Sequence, residues 1–206
     1  MSTAMTRMRF LFTGVGGQGT LLASRLLGEA ALNLGIPVLI SEVHGMAQRG
    51  GVVESTVMLG GIKSPIISDG EADCLLGFEP LETIRALRAC NKDSTIITNL
   101  SKIEPFTVKL GFAAYPDVDY WLGLIQERYK KVYACDAEEM AQQAGSAKAG
   151  NVVLLGVLAG SGVASMPIAV FQETIRRIVK PKTVDINLRA FELGFEFALK
   201  QSTQGG

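Results

Sequence analysis

The sequence predicts an α/β fold, a three-layer α/β/α single domain on a mostly parallel or mixed sheet, with a Rossmann-like first βαβ unit. Three observations carry that expectation. Short β-branched or apolar runs alternate with amphipathic helical stretches along the chain, the signature of helices packed on a sheet. A glycine-rich turn, Gly14-Val15-Gly16-Gly17-Gln18-Gly19-Thr20, sits between the first apolar run and the first helical one. The 206 residues, 48% hydrophobic and 19% charged, suit one globular domain with a sizeable core.

The elements follow in order. Arg9 to Thr13 reads as a buried strand, and Gln18 to Leu34 as a helix with Leu27, Ala30, Ala31 and Leu34 on one face. Gly35 stops that helix, and Pro37 leads into a strand from Val38 to Ser41. This strand-helix-strand unit implies a parallel pair with a right-handed crossover. Val52 to Leu59 is a third strand ended by Gly60-Gly61, and Cys74 to Phe78 a fourth. Pro80 to Cys90 is a helix that starts with proline, where the missing N–H is harmless, and Thr95 to Thr98 is a fifth strand. Phe106 to Ala113 reads as a strand, Asp117 to Lys130 as a helix, and Val132 to Cys135 as a short strand. Ala137 to Ala144 is a helix capped by Asp136. Asn151 to Ala159 is too apolar for a surface helix and belongs in the interior, while Pro167 to Val179 ends in Arg176, Arg177 and Lys180, which complement the helix dipole. A last helix presents Val184, Leu188, Phe191, Phe195 and Ala198 as a core stripe. Met1 to Met8 and the tail from Gln201 to Gly206 read as loose ends.

Composition excludes several functions. Twenty basic and twenty acidic residues cancel and no Lys/Arg block occurs, so the footprint of a nucleic-acid binder is missing. The longest apolar stretch, Val152 to Ala159, falls short of the ~20 residues of a membrane span, and no signal-peptide core follows the amino terminus, so a cytoplasmic protein is expected. Cys74, Cys90 and Cys135 are far apart and form no C-x-x-C pair, which reads as reduced thiols and argues against a cluster or structural metal on this chain.

Two segments carry the polar chemistry. In the first, Gly14, Gly16, Gly17 and Gly19 allow a tight turn and close backbone approach, and with Gln18 and Thr20 they open a helix whose free N–H groups suit a phosphate. The second, Ser41-Glu42-Val43-His44-Gly45-Met46-Ala47-Gln48-Arg49-Gly50-Gly51, leaves the carboxyl end of the second strand, where ligands of open α/β sheets collect. It holds the only histidine of the chain, and the guanidinium of Arg49 matches a phosphate or carboxylate. Each residue also has a plainer explanation: His44 as a satisfied loop residue, Glu42 with Arg49 as an ion pair, Asn151 as a helix cap or a ligand contact. Tyr120 and Trp121 read either as half-buried core or as interface.

Together with Glu79-Pro80-Leu81-Glu82 and Ala149-Gly150-Asn151, these two segments make the chain resemble, over roughly residues 9 to 200, the gamma-type subunit of the 2-oxoacid:ferredoxin oxidoreductases. The second segment is its most specific part and points to the arylpyruvate (indolepyruvate) branch. The resemblance implies one subunit of a complex that oxidatively decarboxylates a 2-oxoacid to acyl-CoA, with coenzyme A as co-substrate. It implies thiamine diphosphate, Mg²⁺ and iron–sulfur clusters on a larger partner subunit, ferredoxin reached through the complex, no catalytic residue on this chain, and a possible homodimer when isolated. The absence of C-x-x-C fits this, as does an only Asp-Gly, Asp69-Gly70, in a turn-like setting. It further implies that Gly14, Gly16, Gly17, Gln18, Gly19 and Thr20 form an anion-binding turn. His44, Gln48 and Arg49 would then face the same cleft, with Gly45 and Gly50 easing backbone approach and the role of Glu42 open. Two alternatives stand beside it. One is a stand-alone NAD- or FAD-binding Rossmann-type oxidoreductase, in which Glu42 would hold an adenosine ribose. The other is a non-catalytic assembly subunit.

Overall fold

A computed structural model describes residues 7–45 and 51–204. Six strands, β1 (Met8–Val15), β2 (Val38–His44), β3 (Val52–Leu59), β4 (Ala72–Gly77), β5 (Cys90–Asn99) and β6 (Lys131–Cys135), form one sheet in the order β2-β3-β1-β4-β5-β6. From β1 through β4 and β5 to β6 the strands are parallel, whereas β3 runs antiparallel to both β1 and β2. The sheet is therefore mixed, as one of the two expected forms, but the expected β1–β2 pair is not made: β3 lies between them. The reason is burial. Val57, Met58 and Leu59 are all buried, so β3 needs cover on both faces and a central place. Beyond Ser41, β2 continues as Glu42, Val43 and His44, which are exposed and suit an edge.

Helices cover both faces. α1 (Thr20–Asn33), α5 (Ala137–Ala144), α6 (Gly150–Gly160), α7 (Ile168–Ile178) and α8 (Val184–Gln204) share one apolar core with Phe10, Phe12, Leu76 and Ile97. On the other face α2 (Pro80–Ala86) and α4 (Val118–Arg128) pack against Leu11, Leu75 and Ile96 through Ala86 and Ile125. α6 is buried along nearly its whole length, as its composition requires. It crosses α8 in backbone contact: a Cβ at Gly156 would overlap the Phe191 carbonyl, and one at Gly194 the Val153 carbonyl.

Other expectations shift at their edges. Phe106 to Ala113 is not a strand; Phe106–Lys109 is a single helical turn, α3, because the Pro105 carbonyl accepts from the Val108 and Lys109 N–H groups, and the chain then turns at Gly111. α2 stops at Ala86, a 3-10 turn spans Leu87–Ala89, and Cys90 already opens β5, so the helix expected to reach Cys90 is shorter and the strand longer. The segment Gln201 to Gln204, expected to fray, continues α8. Asp136 caps α5 as expected, accepting from Glu138 and Glu139, and Asp117, expected as the first helical residue, is instead the cap of α4, accepting from Tyr120.

Candidate functional site

The glycine turn links the carboxyl end of β1 to α1. Gly17 (φ 99°) and Gly19 (φ 80°) occupy the left-handed region that L side chains avoid. Gln18 is spent inside the turn: its Oε1 accepts from the Val15 N–H at 2.7 Å and its Nε2 donates to the Phe78 carbonyl at 2.7 Å. Gly14 leaves room for that amide, since a Cβ there would sit 2.8 Å from Gln18 Oε1 and from Phe78 Cβ. Gly19 leaves room for Asn151, whose Nδ2 donates to the Gly19 carbonyl at 3.2 Å. Thr20 is buried at the first position of α1, and its hydroxyl has no hydrogen-bond partner among the described residues.

These contacts open a cleft of about 200 Å³ at the carboxyl edge of the parallel strands, lined among others by Gly17, Gln18, Asn99, Lys148, Gly150 and Asn151. Asn99 fixes its floor, donating to the Phe78 carbonyl at 3.1 Å and accepting from the Ala137 N–H at 2.9 Å. α1 begins here at Gly19 without a side-chain cap or an acidic residue in its first turn, so it presents an uncompensated positive dipole end. α6 instead follows directly on a 3-10 turn, Ala147–Ala149, which Ser146 caps and whose Ala147 carbonyl accepts from the Gly150 N–H. α2, α4 and α5, by contrast, are capped by Glu79, Asp117 and Asp136. Lys148 adds a full positive charge beside α6, and among the described residues Glu138 is the carboxylate that lines the same cleft. Such an arrangement is suited to an anion, through backbone N–H groups and one ammonium.

Among the described residues, the second polar segment meets the turn where the Gly16 N–H donates to the Gly51 carbonyl at 2.9 Å. Gly45 closes the end of the β2–β3 ladder by donating to the Val52 carbonyl at 2.8 Å. His44 pairs with Val53, which pairs on its other side with Gly14. His44 thus stands two strands from the turn, about 10 Å at ordinary strand spacing. Glu42 is likewise on the far side of β3, opposite Ser55. Both are exposed, and neither lines the cleft. Gln48, Arg49 and Gly50 lie outside the described residues.

Sequence reasoning passed over Lys148, Asn99 and Ile103 as cleft residues, and the role of Glu79. A lone lysine or asparagine has no periodicity to mark it. Glu79 follows β4, is 1% exposed, and caps α2 by accepting from the Glu82 N–H at 3.1 Å. Its other oxygen accepts from the Ile103 N–H at 3.2 Å and from the Tyr115 hydroxyl. Burial, then the hydrogen bond to Glu79 and its charge, push the Tyr115 hydroxyl above its ordinary range.

The three cysteine thiols, all among the described residues, are not activated. Cys74, Cys90 and Cys135 are free and buried, and burial pushes the thiols of Cys90 and Cys135 up to about 12. No three His, Cys, Asp or Glu side chains converge among the described residues, so these residues do not fit a cluster or metal ion. No described helix is long and apolar enough to cross a membrane.

Comparison with known proteins places this geometry. The family model described as pyruvate ferredoxin/flavodoxin oxidoreductase matches residues 9–197. The chain is 40% identical over 195 residues to indolepyruvate oxidoreductase subunit IorB of Archaeoglobus fulgidus, covering 94% of this chain and 96% of that one. The fold matches the gamma subunit of a keto/oxoacid ferredoxin oxidoreductase from Geobacter sulfurreducens PCA, with a TM-score of 0.69 at 24% identity over 94% of this chain and 99% of that chain. It also matches the 2-oxoglutarate:ferredoxin oxidoreductase from Magnetococcus marinus, solved with 2-oxoglutarate, coenzyme A and succinyl-CoA, with a TM-score of 0.68 at 16% identity; there 93% of this chain corresponds to 31% of a longer one. Matched by the family model over residues 9–197 and by a relative at 40% identity covered to 96%, the chain belongs to the pyruvate ferredoxin/flavodoxin oxidoreductase family, as a subunit of a 2-oxoacid:ferredoxin oxidoreductase.

Proposed function

We propose that this chain forms the coenzyme A side of an arylpyruvate, in particular indolepyruvate,:ferredoxin oxidoreductase, and that the glycine-turn cleft holds coenzyme A phosphates. The name of the Archaeoglobus relative supports the substrate class. The observation that carries the ligand is the convergence of the glycine turn, which opens the uncapped start of α1, and Lys148 on one cleft. At about 200 Å³ the cleft is too small for a whole coenzyme. It suits a phosphate end, with the thiol arm reaching out of this chain.

The thiamine diphosphate and clusters assigned to the larger subunit supply carbanion stabilisation and electron transfer when bound. The residues of this chain bind and orient. The first-turn N–H groups of α1 donate to phosphate oxygens, and Lys148 neutralises their charge. Asn151, already bonded to Gly19, holds the starts of α1 and α6 at a fixed separation. The fixed anchor turns acyl capture by the coenzyme A thiol into a step between held partners.

Calorimetry on the assembled complex tests this. Lys148→Glu should weaken coenzyme A binding by at least about tenfold, since it removes a charge-assisted contact and adds repulsion. Lys148→Arg should retain most of the affinity, and Gly17→Val, strained at its positive φ, should weaken it as well. Unchanged coenzyme A affinity in Lys148→Glu and Gly17→Val would refute the assignment.

A further inference from the structure

The buried carboxylate of Glu79 closes an excursion of the chain. One of its oxygens takes hydrogen bonds from Ile103 at one end and Tyr115 at the other. Between them the chain carries Leu110 at 51% and Phe112 at 79% exposure, well outside the core. Two residues past Tyr115 the chain reaches Asp117, the cap of α4, on which Tyr120 and Trp121 stack edge to face and Leu124 is exposed. Trp121 and Leu124 line a groove of about 480 Å³ together with Leu87, Tyr129, Glu127 and Arg128. Aromatic anchors together with an arginine are the composition of interface centres. A buried carboxylate needs partners, and here they serve to hold an exposed phenylalanine on a closed loop.

We propose that the Glu79-clipped excursion and the α4 groove form the seat of the larger subunit on this chain. This rests on the subunit reading given under Proposed function. Two observations favour that occupant. A unit of this fold makes up 31% of one longer polypeptide in the Magnetococcus enzyme, while the Archaeoglobus relative has the length of this chain. Where the unit is a separate chain, a non-covalent surface must replace the continuous polypeptide. Ile103, moreover, belongs to both places: it is bonded to Glu79 at the start of the excursion and lines the anion cleft. A chain seated on the excursion therefore borders the cleft, as it must if coenzyme A held here is to reach chemistry on the partner.

The test uses this chain coexpressed with its thiamine- and cluster-bearing larger subunit. Phe112→Asp should raise the dissociation constant of the complex by at least about tenfold, the scale of losing an aromatic anchor, with the melting temperature of the isolated chain unchanged. Tyr115→Phe, which frees one end of the excursion, should weaken assembly in the same direction by less. Leu32→Asp, an exposed substitution on α1, should leave assembly unaffected. A complex that forms normally with Phe112→Asp overturns the seat while leaving the subunit reading intact. If the wild-type pair does not associate, both fall. If Phe112→Asp instead converts an isolated dimer to monomer without touching the complex, the occupant is a second copy and the proposal is wrong.

Discussion

Glu82, in the first turn of α2, is 5% exposed, and burial holds its carboxyl above the ordinary 4.5. The carboxylates of Glu79 and Glu54 push the same way, while Arg85, 2.7 Å from Oε1, opposes them. An acid whose folded pKa is raised binds more protons folded than unfolded. Its contribution is present in full below 4.5 and is lost as pH rises through the folded value. Glu82→Gln removes that dependence. Denaturant melts of both proteins from acid to neutral pH should show the variant gaining stability relative to wild type as pH rises past 4.5. A difference that stays constant across that range would contradict the burial argument. At the same scale the sequence showed which residues gather at the turn but not what each is for. Glycine positions were legible because backbone geometry leaves few substitutes. Gln18 was not, because an amide looks the same whether it faces a ligand or, as here, the Val15 N–H and the Phe78 carbonyl.

Among elements, the helices were the most legible part, since a 3.6-residue period and a cap such as Asp136 are written locally. Strand order was not. The pairing of β3 between β1 and β2 depends on how much of Val57-Met58-Leu59 needs burying, a property of the whole sheet. The closeness of α6 and α8 was hidden for a related reason. Gly156 and Gly194 lie far apart in sequence, and only the crossing reveals that each admits the other helix's backbone. Gly194→Leu places a side chain against the Val153 carbonyl at the most buried helix of the molecule. A loss of at least about 3 kcal/mol in unfolding free energy is expected, at the upper end of overpacking effects, because backbone rather than a flexible side chain must move. Urea denaturation measures it, and near-native stability would mean that the helices part more easily than their packing implies.

For the whole molecule, the decisive property is which strand ends meet at one edge. β1, β4, β5 and β6 are parallel, so their carboxyl ends share the edge where α1 and α6 begin. A dinucleotide site of the familiar kind needs in addition an acidic residue on the strand beside the glycine turn, to hold the adenosine ribose. Here β1 is flanked by the antiparallel β3 and the parallel β4, and Glu42 stands one strand beyond β3 on β2. The proposed phosphate cleft is therefore not joined by Glu42 as a ribose ligand. Because formal charges balance across the chain, attraction for an anion comes from the cleft itself rather than from a long-range field. Coenzyme A and NADH both carry phosphates, so a cleft that reads phosphate and geometry but no ribose diol should separate them poorly by charge and well by fit to the assembled complex. Titrating NADH into the complex should give neither energy transfer from Trp121 nor displacement of bound coenzyme A at equal concentration. Displacement abolished by Glu42→Gln would instead mean that the carboxylate reaches a ribose across β3, and that the stand-alone dinucleotide reading must be taken up again.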